Sequence, residues 1–257
     1  MIKRYPWLLA ASLGNLLFLY APIAVLILFS FNASRLSARW QGGTLQWYRL
    51  LAEDEALLAA VQNSLLVGLV STVIATVLGV CAALALERFP FRGQRAIEGA
   101  ILLPLVIPEV MMGVALMLFF VSIKLPLSLV TVTIGHAAFN LPIVVVIVRG
   151  RLRKLDPGLE EAARDLGASA WQAFHRVTVP LLMPAILGAT LLAFTISLDD
   201  FIVTFFTAGP GATTLPLKVY SMVKSTVTPE INALSAILVL VSMGLIGLSL
   251  ALQRKPV

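Results

Sequence analysis

Long apolar segments recur along this chain of 257 residues and constrain its fold more than any other feature. A helix of about 20 predominantly apolar residues is long enough to cross a bilayer. Charged residues make up only 12% of the chain, whereas soluble domains carry about a quarter. We therefore predict an all-α polytopic membrane protein with a single transmembrane domain, 1–257, and six transmembrane helices. These spans are expected at about 7–31, 62–86, 99–123, 127–148, 181–207 and 232–252.

The distribution of Lys and Arg predicts which side of the membrane each loop occupies, because cytoplasmic loops carry an excess of these residues. With the N-terminus in the cytoplasm, most of the 19 Lys and Arg residues fall in inner segments. They include Lys3, Arg4, Arg254 and Lys255 near the two ends of the chain. Both termini and the loop 149–180 are therefore expected in the cytoplasm.

The polar loop 149–180 predicts two short helices joined at a glycine. Asp156 is suited to begin the first helix, and Gly167 fits the left-handed position that commonly ends one. Ser169 and Gln172 have the spacing of a capping box, in which each side chain bonds the backbone of the other residue. On the residues alone, the loop is equally well a surface hairpin between two spans or a docking element for a partner.

A spaced motif runs through the second half of this loop. Glu-Ala-Ala at 161–163 is followed by three residues and Gly167, and nine residues later the loop closes on Val-Thr-Val-Pro at 177–180. This pattern resembles the EAA motif in the membrane subunits of bacterial ABC importers, with Val177 and Val179 in place of Ile and Leu. The resemblance implies the type I ABC importer permease fold and a coupling helix that sits in a groove of an ATPase subunit.

The same resemblance implies site residues and partners. The ATPase contact is expected at Glu161, Ala162, Ala163, Gly167, Trp171, Phe174 and Pro180. The expected partners are a second homologous permease, two ATPase subunits and a periplasmic substrate-binding protein, at the bacterial inner membrane and without nucleic acid. The chain has no GxxxxGK[ST] phosphate-binding motif. ATP and magnesium are therefore expected in the ATPase subunits, with no cofactor and no enzymatic activity in this chain.

Metal chemistry is not indicated by the sequence. The two histidines, His136 and His175, and the single cysteine, Cys81, lack the spacing of metal ligands. His136 lies in an apolar segment beside Asn140, and we interpret it as a hydrogen-bonded, packed side chain rather than a proton relay. No metal site is expected.

Three carboxylates interrupt the apolar segments, namely Glu109, Asp199 and Asp200. An acid at the centre of a lipid-facing helix costs about 2.5–3.5 kcal/mol on insertion scales, so each should face a cavity, a neighbouring helix or a substrate. One interpretation is structural: Asp199 and Asp200 cap a helix break, and Glu109 bonds a polar neighbour such as Asn140. The other is that the three acids line a substrate pathway and attract a cation.

Two stretches favour one class of substrate. Residues 197–237 and the sequence Leu-Pro-Leu-Val-Ile-Pro-Glu-Val at 103–110 resemble spermidine/putrescine transporter permeases. The resemblance implies import of polyamines by alternating access coupled to the ATPase, and buried carboxylates are suitable counter-charges for such cations. Two alternatives stay open at this point. One is the same role for iron, a phosphonate, an opine or another small solute, and the other is an ion-coupled secondary transporter.

A glycine-rich turn at Gly209, Pro210 and Gly211 lies in an expected outer loop, 208–231. Glycine allows the chain to reverse sharply, and proline sets the backbone angle of a turn. The turn is either a tight connection between two spans or a contact for the external substrate-binding protein.

Two positions in the loop provide a test of its coupling role. Replacing Gly167 with a bulky β-branched residue, or Glu161 with Lys, should uncouple ATP hydrolysis from transport or prevent assembly with the ATPase. The measurements are substrate uptake and co-purification of the ATPase. Normal ATPase association together with normal uptake in both variants would contradict the assignment.

Overall fold

The computed structural model describes residues 6–34, 39–156, 158–225 and 229–253. This part of the chain forms α-helices separated by short connections. In chain order they are α1 (Pro6–Phe29), α2 (Gln46–Glu53), α3 (Glu55–Arg88), α4 (Gln94–Leu102), α5 (Glu109–Ser122), α6 (Leu129–Leu152), α7 (Gly158–Asp165), α8 (Ala170–Ala173), α9 (Val179–Asp199), α10 (Ile202–Thr207), α11 (Leu215–Ser225) and α12 (Pro229–Gln253). The predicted all-α class is confirmed.

Three smaller elements complete the described ranges. A 3₁₀ turn, Leu103–Leu105, follows α4, and a π-helical turn, Phe174–Thr178, joins α8 to α9. An isolated antiparallel bridge pairs Asn32 with Gly43. The terminal basic residues used above for orientation (Lys3, Arg4, Arg254 and Lys255) lie outside the described residues.

Four helices in the described ranges are long and apolar enough to cross a membrane. They are α1, α3, α6 and the continuous helix Ala170–Asp199, which contains α8, the π turn and α9. Helix α1 has no buried residue in its apolar window. An apolar helix exposed in this way needs lipid or another helix around it, as expected for a multi-pass membrane protein.

The third expected span, 99–123, is not one straight helix. Gln94–Leu105 and Glu109–Ser122 meet at an angle of 109°. The break has a local cause, because Pro104 and Pro108 lack the backbone N–H that a helix needs, and a proline disfavours helical geometry at the residue before it. Counted as one span, the bent pair brings the number in the described residues to five.

The fifth expected span, 181–207, is also corrected. Its helix begins in the loop at Ala170 and ends at Asp199, and the backbone is extended at Asp200, with φ −65° and ψ 122°. The chain becomes helical again at Ile202 as α10. Because the helix ends at Asp199 and the backbone is extended at Asp200, the acids lie at a break and not inside a continuous helix.

The sixth expected span, 232–252, falls within α12. The described apolar part of that helix, Pro229–Val241, is shorter than a membrane span. The remaining side chains, with the exception of Met243, are outside the described set. The count of six spans therefore stays a prediction.

One compact unit comprises 1–58 and 219–257. The loop after α1 is organised around Asn32, whose carbonyl accepts a hydrogen bond from the Trp47 indole N–H at 2.7 Å. A second link joins the Ser30 hydroxyl to the Tyr48 hydroxyl at 2.6 Å. The Trp47 side chain is buried as a result, and α2 is held against the end of α1.

The other compact unit, 59–218, contains the helices that carry the site. Its core is built from alanine, valine and leucine side chains on α3, α6 and α9. Gly79 of α3 faces Val144 of α6, and Gly68 of α3 faces Phe194 and Leu198 of α9. Small residues let membrane helices approach closely, and dispersion contacts then replace the hydrophobic driving force that lipid does not supply.

We expect Gly79→Ala to destabilise this packing, because an added Cβ would lie 2.7 Å from the Cβ and Cγ1 atoms of Val144. Overpacking of this kind costs about 1–3 kcal/mol. Thermal unfolding of the purified protein in detergent measures the effect. Gly188→Ala in α9 is the matched control, because no atom lies within 4 Å of a Cβ added there. Equal unfolding midpoints for the two variants would contradict the expected close approach of α3 and α6.

Candidate functional site

The first helix of the loop 149–180, α7, begins and ends as its sequence predicts. The Asp156 carboxylate accepts a hydrogen bond from the Gly158 amide at 2.9 Å. At the other end, Gly167 adopts a φ of +91°, and its N–H donates to the Arg164 carbonyl at 2.9 Å. Residues with a Cβ rarely adopt this left-handed conformation. The glycine therefore sets the sharp turn between α7 and α8.

The second helix of the loop begins with the predicted capping box. The Ser169 N–H donates to Oε1 of Gln172 at 2.9 Å, and the Gln172 N–H donates to Oγ of Ser169 at 3.3 Å. From Ala170 the helix then continues into the membrane span without an intervening loop. The π turn lies directly before the first turn of α9, where Pro180 has no N–H to donate.

The surface of the loop exposes most of the residues expected to contact an ATPase. Exposed are Glu161, Ala162, Gly167, Trp171 and Pro180, while Ala163 and Phe174 are partly buried. Two large apolar side chains stand out, since Trp171 is 69% exposed and Leu166 is 90% exposed. Large aromatic side chains are enriched where proteins bind one another. The loop thus presents a surface suited to a protein partner.

Arg88, at the C-terminal end of α3, connects this loop to the membrane helices. Its Nη2 donates to Oε1 of Glu160 at 2.6 Å and to the Thr178 hydroxyl at 3.3 Å. Its guanidinium also lies 5.8 Å from the centre of the Phe174 ring, within the range of a cation–π interaction. Through this one side chain, the end of α3 contacts both α7 and the π turn. Arg88 was not among the site residues expected from the sequence.

A second charged cluster lies beside Arg88 and joins α3, α4 and α6. Arg149 donates to Glu87 at 2.7 Å and to Glu98 at 2.5 Å, and Arg153 donates to Glu87 at 3.1 Å. Partly buried pairs in such a network are worth more than isolated surface pairs. This cluster ties three helices together at the end of the unit where the loop emerges.

Two of the three predicted acids line one cavity of about 340 Å³. Glu109 and Asp200 belong to its wall, together with the Phe139 ring and aliphatic side chains. Both helix breaks described above open on this cavity, one through 104–107 and the other through Asp200. Asp199 is exposed and is not part of the wall. The fold thus brings together two acids that are far apart in sequence.

Asp200 also performs the structural role that the sequence left open. Its Oδ2 accepts hydrogen bonds from the backbone N–H and the hydroxyl of Thr204, at 2.9 and 3.0 Å. Its Oδ1 accepts from the Val203 N–H at 3.3 Å. The carboxylate therefore caps α10. The bond suggested between Glu109 and Asn140 is absent, because the buried Asn140 side chain finds no hydrogen-bond partner within the described residues.

A buried chain of polar side chains leads to Asp200 from the neighbouring helices. His136 of α6 places Nε2 at 3.0 Å from Oδ2 of Asp200 and Nδ1 at 2.6 Å from the Ser197 hydroxyl. Ser197 in turn lies 3.1 Å from the Ser71 hydroxyl on α3. The prediction that His136 is a packed, hydrogen-bonded group is confirmed. Its link to Asp200 was not predicted.

The glycine-rich turn lies near the N-terminal ends of α3 and α6. The Ala212 N–H donates to the Gly209 carbonyl at 3.0 Å, and Gly211 has a φ of +78°, the pattern of a type II turn with proline in second position. The Asn63 side chain donates to the carbonyls of Gly211 and Thr213 at 3.1 and 2.9 Å. The interpretation as a tight turn therefore agrees with the geometry.

A family model described as the inner membrane component of binding-protein-dependent transport systems matches residues 75–255. The chain belongs to this family. The permease is 42% identical over 253 residues to the putrescine transport system permease protein PotI of Escherichia coli (strain K12), covering 96% of this chain and 90% of that protein. It is 40% identical over 237 residues to the spermidine/putrescine transport system permease protein PotC of the same strain, covering 92% and 90%.

Solved structures give the permease its fold class. It superimposes on a chain of a bacterial ABC transporter involved in the import of the acidic polysaccharide alginate with a TM-score of 0.72 and 20% identity, covering 98% of this chain and 96% of that one. An amino acid ABC transporter with histidines gives a TM-score of 0.64 and 18% identity, covering 83% and 100%. The predicted type I ABC importer permease fold is confirmed. Together with the family match, this decides against the ion-coupled carrier.

The functional contacts that sequence reasoning missed involve residues distant along the chain. Arg88 is 72 residues from Glu160, and His136 is 61 residues from Ser197. A charged residue at the end of an apolar segment and a histidine inside one were the available signals. Neither signal identifies the partner, because only the folded arrangement of α3, α6, α7 and α9 brings these side chains together.

We expect Arg88→Glu in the permease to reduce transport per ATP hydrolysed, because the loop loses its contacts with α3. Uptake and ATP hydrolysis are measured together in vesicles that contain the complete transporter. The double variant Arg88→Glu with Glu160→Arg restores the ion pair but not the contacts with Thr178 and Phe174, and should recover part of the coupling. The exposed Arg92→Glu is the control. Equal coupling in Arg88→Glu and Arg92→Glu would contradict this role of Arg88.

Proposed function

We propose that this permease carries polyamines, such as putrescine and spermidine, across the bacterial inner membrane as a subunit of an ATP-driven importer. One observation carries the proposal: identities of 42% and 40% to permeases of putrescine and spermidine/putrescine transport systems, each over more than nine-tenths of this chain. A similarity that covers both the loop and the membrane acids supports a shared substrate class. This sequence similarity is more specific evidence for the substrate than the fold is, because many transport systems share the fold.

The cavity between the helix breaks supports a cationic substrate. Two carboxylates, Glu109 and Asp200, stand in its wall among aliphatic side chains. Only 5% of the Asp200 side chain is exposed, whereas Glu109 is exposed. A weakly solvated carboxylate such as that of Asp200 attracts an ammonium group more strongly than a carboxylate in water does. Phe139 belongs to the same wall, and aromatic rings can attract cations through their π faces. Asp199, on the exposed side of the break, belongs to the proposed wider path.

The coupling of this path to ATP is proposed to run through the loop 149–180. Glu161, Ala162, Ala163, Gly167, Trp171, Phe174 and Pro180 form the proposed contact with one of two ATPase subunits. ATP and magnesium are held there, and the chain itself catalyses no reaction. The uninterrupted helix Ala170–Asp199 supports this mechanism, because it reaches from the loop to the break at Asp200. Movement of the loop can displace the cavity wall. Such a displacement would expose the path to one side of the membrane and then to the other, which is alternating access.

The orientation proposed for the permease puts both termini and the loop 149–180 in the cytoplasm, with six spans. It agrees with the basic residues at the loop end of the unit, such as Arg88, Arg149 and Arg153. A second homologous permease completes the path across the membrane. The turn at Gly209, Pro210 and Gly211 then faces outward, where it is proposed to touch a periplasmic substrate-binding protein.

We expect loss of the permease to abolish uptake of labelled putrescine and spermidine, and Asp200→Asn or Glu109→Gln to reduce that uptake. A hydrogen bond to a charged group contributes about 1.5–3 kcal/mol, so the reduction should be about tenfold or more. The measurement is initial uptake in cells that lack the chain and carry each variant. Unlabelled cations, anions and metal chelates are added as competitors.

Asp199→Asn is the matched control for this experiment, because its carboxylate lies beside Asp200 but outside the cavity wall. It should reduce uptake less than Asp200→Asn does. Unchanged polyamine uptake in cells without the chain, combined with a deficit in another solute, would retain the permease and reject polyamines as its substrate. Equal effects of Asp199→Asn and Asp200→Asn would reject the cavity as the place where the cation is bound.

A further inference from the structure

His136 is buried, and both of its ring nitrogens lie within hydrogen-bond distance of polar side chains. Nε2 lies 3.0 Å from Oδ2 of Asp200 and 2.9 Å from the Thr204 hydroxyl. An ionised carboxylate oxygen only accepts, so Nε2 carries the hydrogen. On the other side of the ring, Nδ1 lies 2.6 Å from the Ser197 hydroxyl, which lies 3.1 Å from the Ser71 hydroxyl.

The imidazole N–H of His136 orients the Asp200 carboxylate by a hydrogen bond. Within the described residues, the other donors to Asp200 are the neutral backbone N–H groups of Val203 and Thr204 and the Thr204 hydroxyl.

The two carboxylate oxygens of Asp200 have different surroundings. Oδ2 accepts from His136 and twice from Thr204, at distances of 2.9–3.0 Å. Within the described residues, Oδ1 accepts only from the Val203 N–H, at 3.3 Å. Three donors occupy the acceptor capacity of Oδ2, whereas Oδ1 retains room for a further donor. Asp200 lines the cavity, so Oδ1 is the carboxylate oxygen with the capacity to bind a further group.

We propose that His136 is a positioning residue for cation recognition: with Ser197 and Ser71 behind it, it holds Asp200 so that one oxygen is fixed by the protein and the other binds an ammonium group of the substrate. This inference rests on the proposed function, because it assumes a cationic substrate in the cavity. It adds a residue that makes no contact with the cation itself. The polar chain Ser71–Ser197–His136 extends the recognition site from the break into the core of α3, α6 and α9.

The test uses the complete transporter, with its partner permease, ATPase and substrate-binding protein, in proteoliposomes. Labelled putrescine uptake gives KM and the maximal rate, and ATPase stimulation by the loaded binding protein reports assembly. In H136Q a carboxamide replaces both the donor and the acceptor of the ring, so KM should stay within about twofold of wild type. In H136L both are lost, and KM should rise about tenfold, the effect of one hydrogen bond to a charged group. ATPase stimulation should remain within about twofold in both variants.

A second pair of variants tests the same idea with smaller changes. S197A removes the hydroxyl that hydrogen-bonds Nδ1 of His136, and we expect KM to rise severalfold. T190V is the matched control, because the Thr76 and Thr190 hydroxyls form a similar contact between α3 and α9, at 3.2 Å, that does not lead to Asp200. T190V should leave KM unchanged. If the transporter with H136L fails to assemble, the comparison of KM in S197A and T190V decides whether His136 positions Asp200.

The outcomes separate this proposal from the one on which it rests. A wild-type transporter that imports no polyamine would overturn both. Polyamine import by the wild type, with an unchanged KM in H136L or an equal KM in S197A and T190V, would overturn only the role of His136. A KM in H136Q as high as in H136L would do the same, because the polar replacement would then not substitute for the ring.

Discussion

The need to satisfy every backbone hydrogen bond within a membrane governs this structure. A bilayer core offers no water to a free N–H or C=O group, so irregular backbone is tolerated only where protein buries it or where it lines a cavity. The permease has two such breaks, at 103–108 and at Asp200–Phe201, and both open on the same cavity of about 340 Å³. At the second break a carboxylate caps the helix that follows. The Asp200 carboxylate, which accepts hydrogen bonds from the backbone at this break, is also the group proposed to attract the cation.

The continuous helix Ala170–Asp199 connects the two functional ends of the unit. It begins at the capping box of the loop and ends at the break that lines the cavity. At about 1.5 Å per residue, a helix of 30 residues reaches roughly 45 Å. Arg88 links the loop before this helix to α3, and the Ser71–Ser197 contact links the opposite end of the helix to α3 as well. In the proposed coupling, a displacement of the loop would be passed to α3 and the cavity wall together.

Local sequence patterns were sufficient wherever neighbouring residues decide the structure. The capping box of Ser169 and Gln172 and the left-handed Gly167 depend on a few consecutive residues, and both were predicted correctly. The continuity of the helix through Pro180 was not, because a π turn in the preceding residues accommodates the missing N–H. The bend in the third span had visible prolines, yet their presence alone does not distinguish a kink from an angle of 109°.

The sequence by itself determined the membrane class, the loop with its spaced motif and the set of three acids, because apolar length, turn chemistry and rare intramembrane charges are properties of short segments. Only the tertiary structure decided that Glu109 and Asp200 share a cavity while Asp199 does not. It alone placed His136 behind Asp200. These pairings join side chains from helices far apart in the chain, and helix packing sets which of them meet. No local pattern encodes that choice.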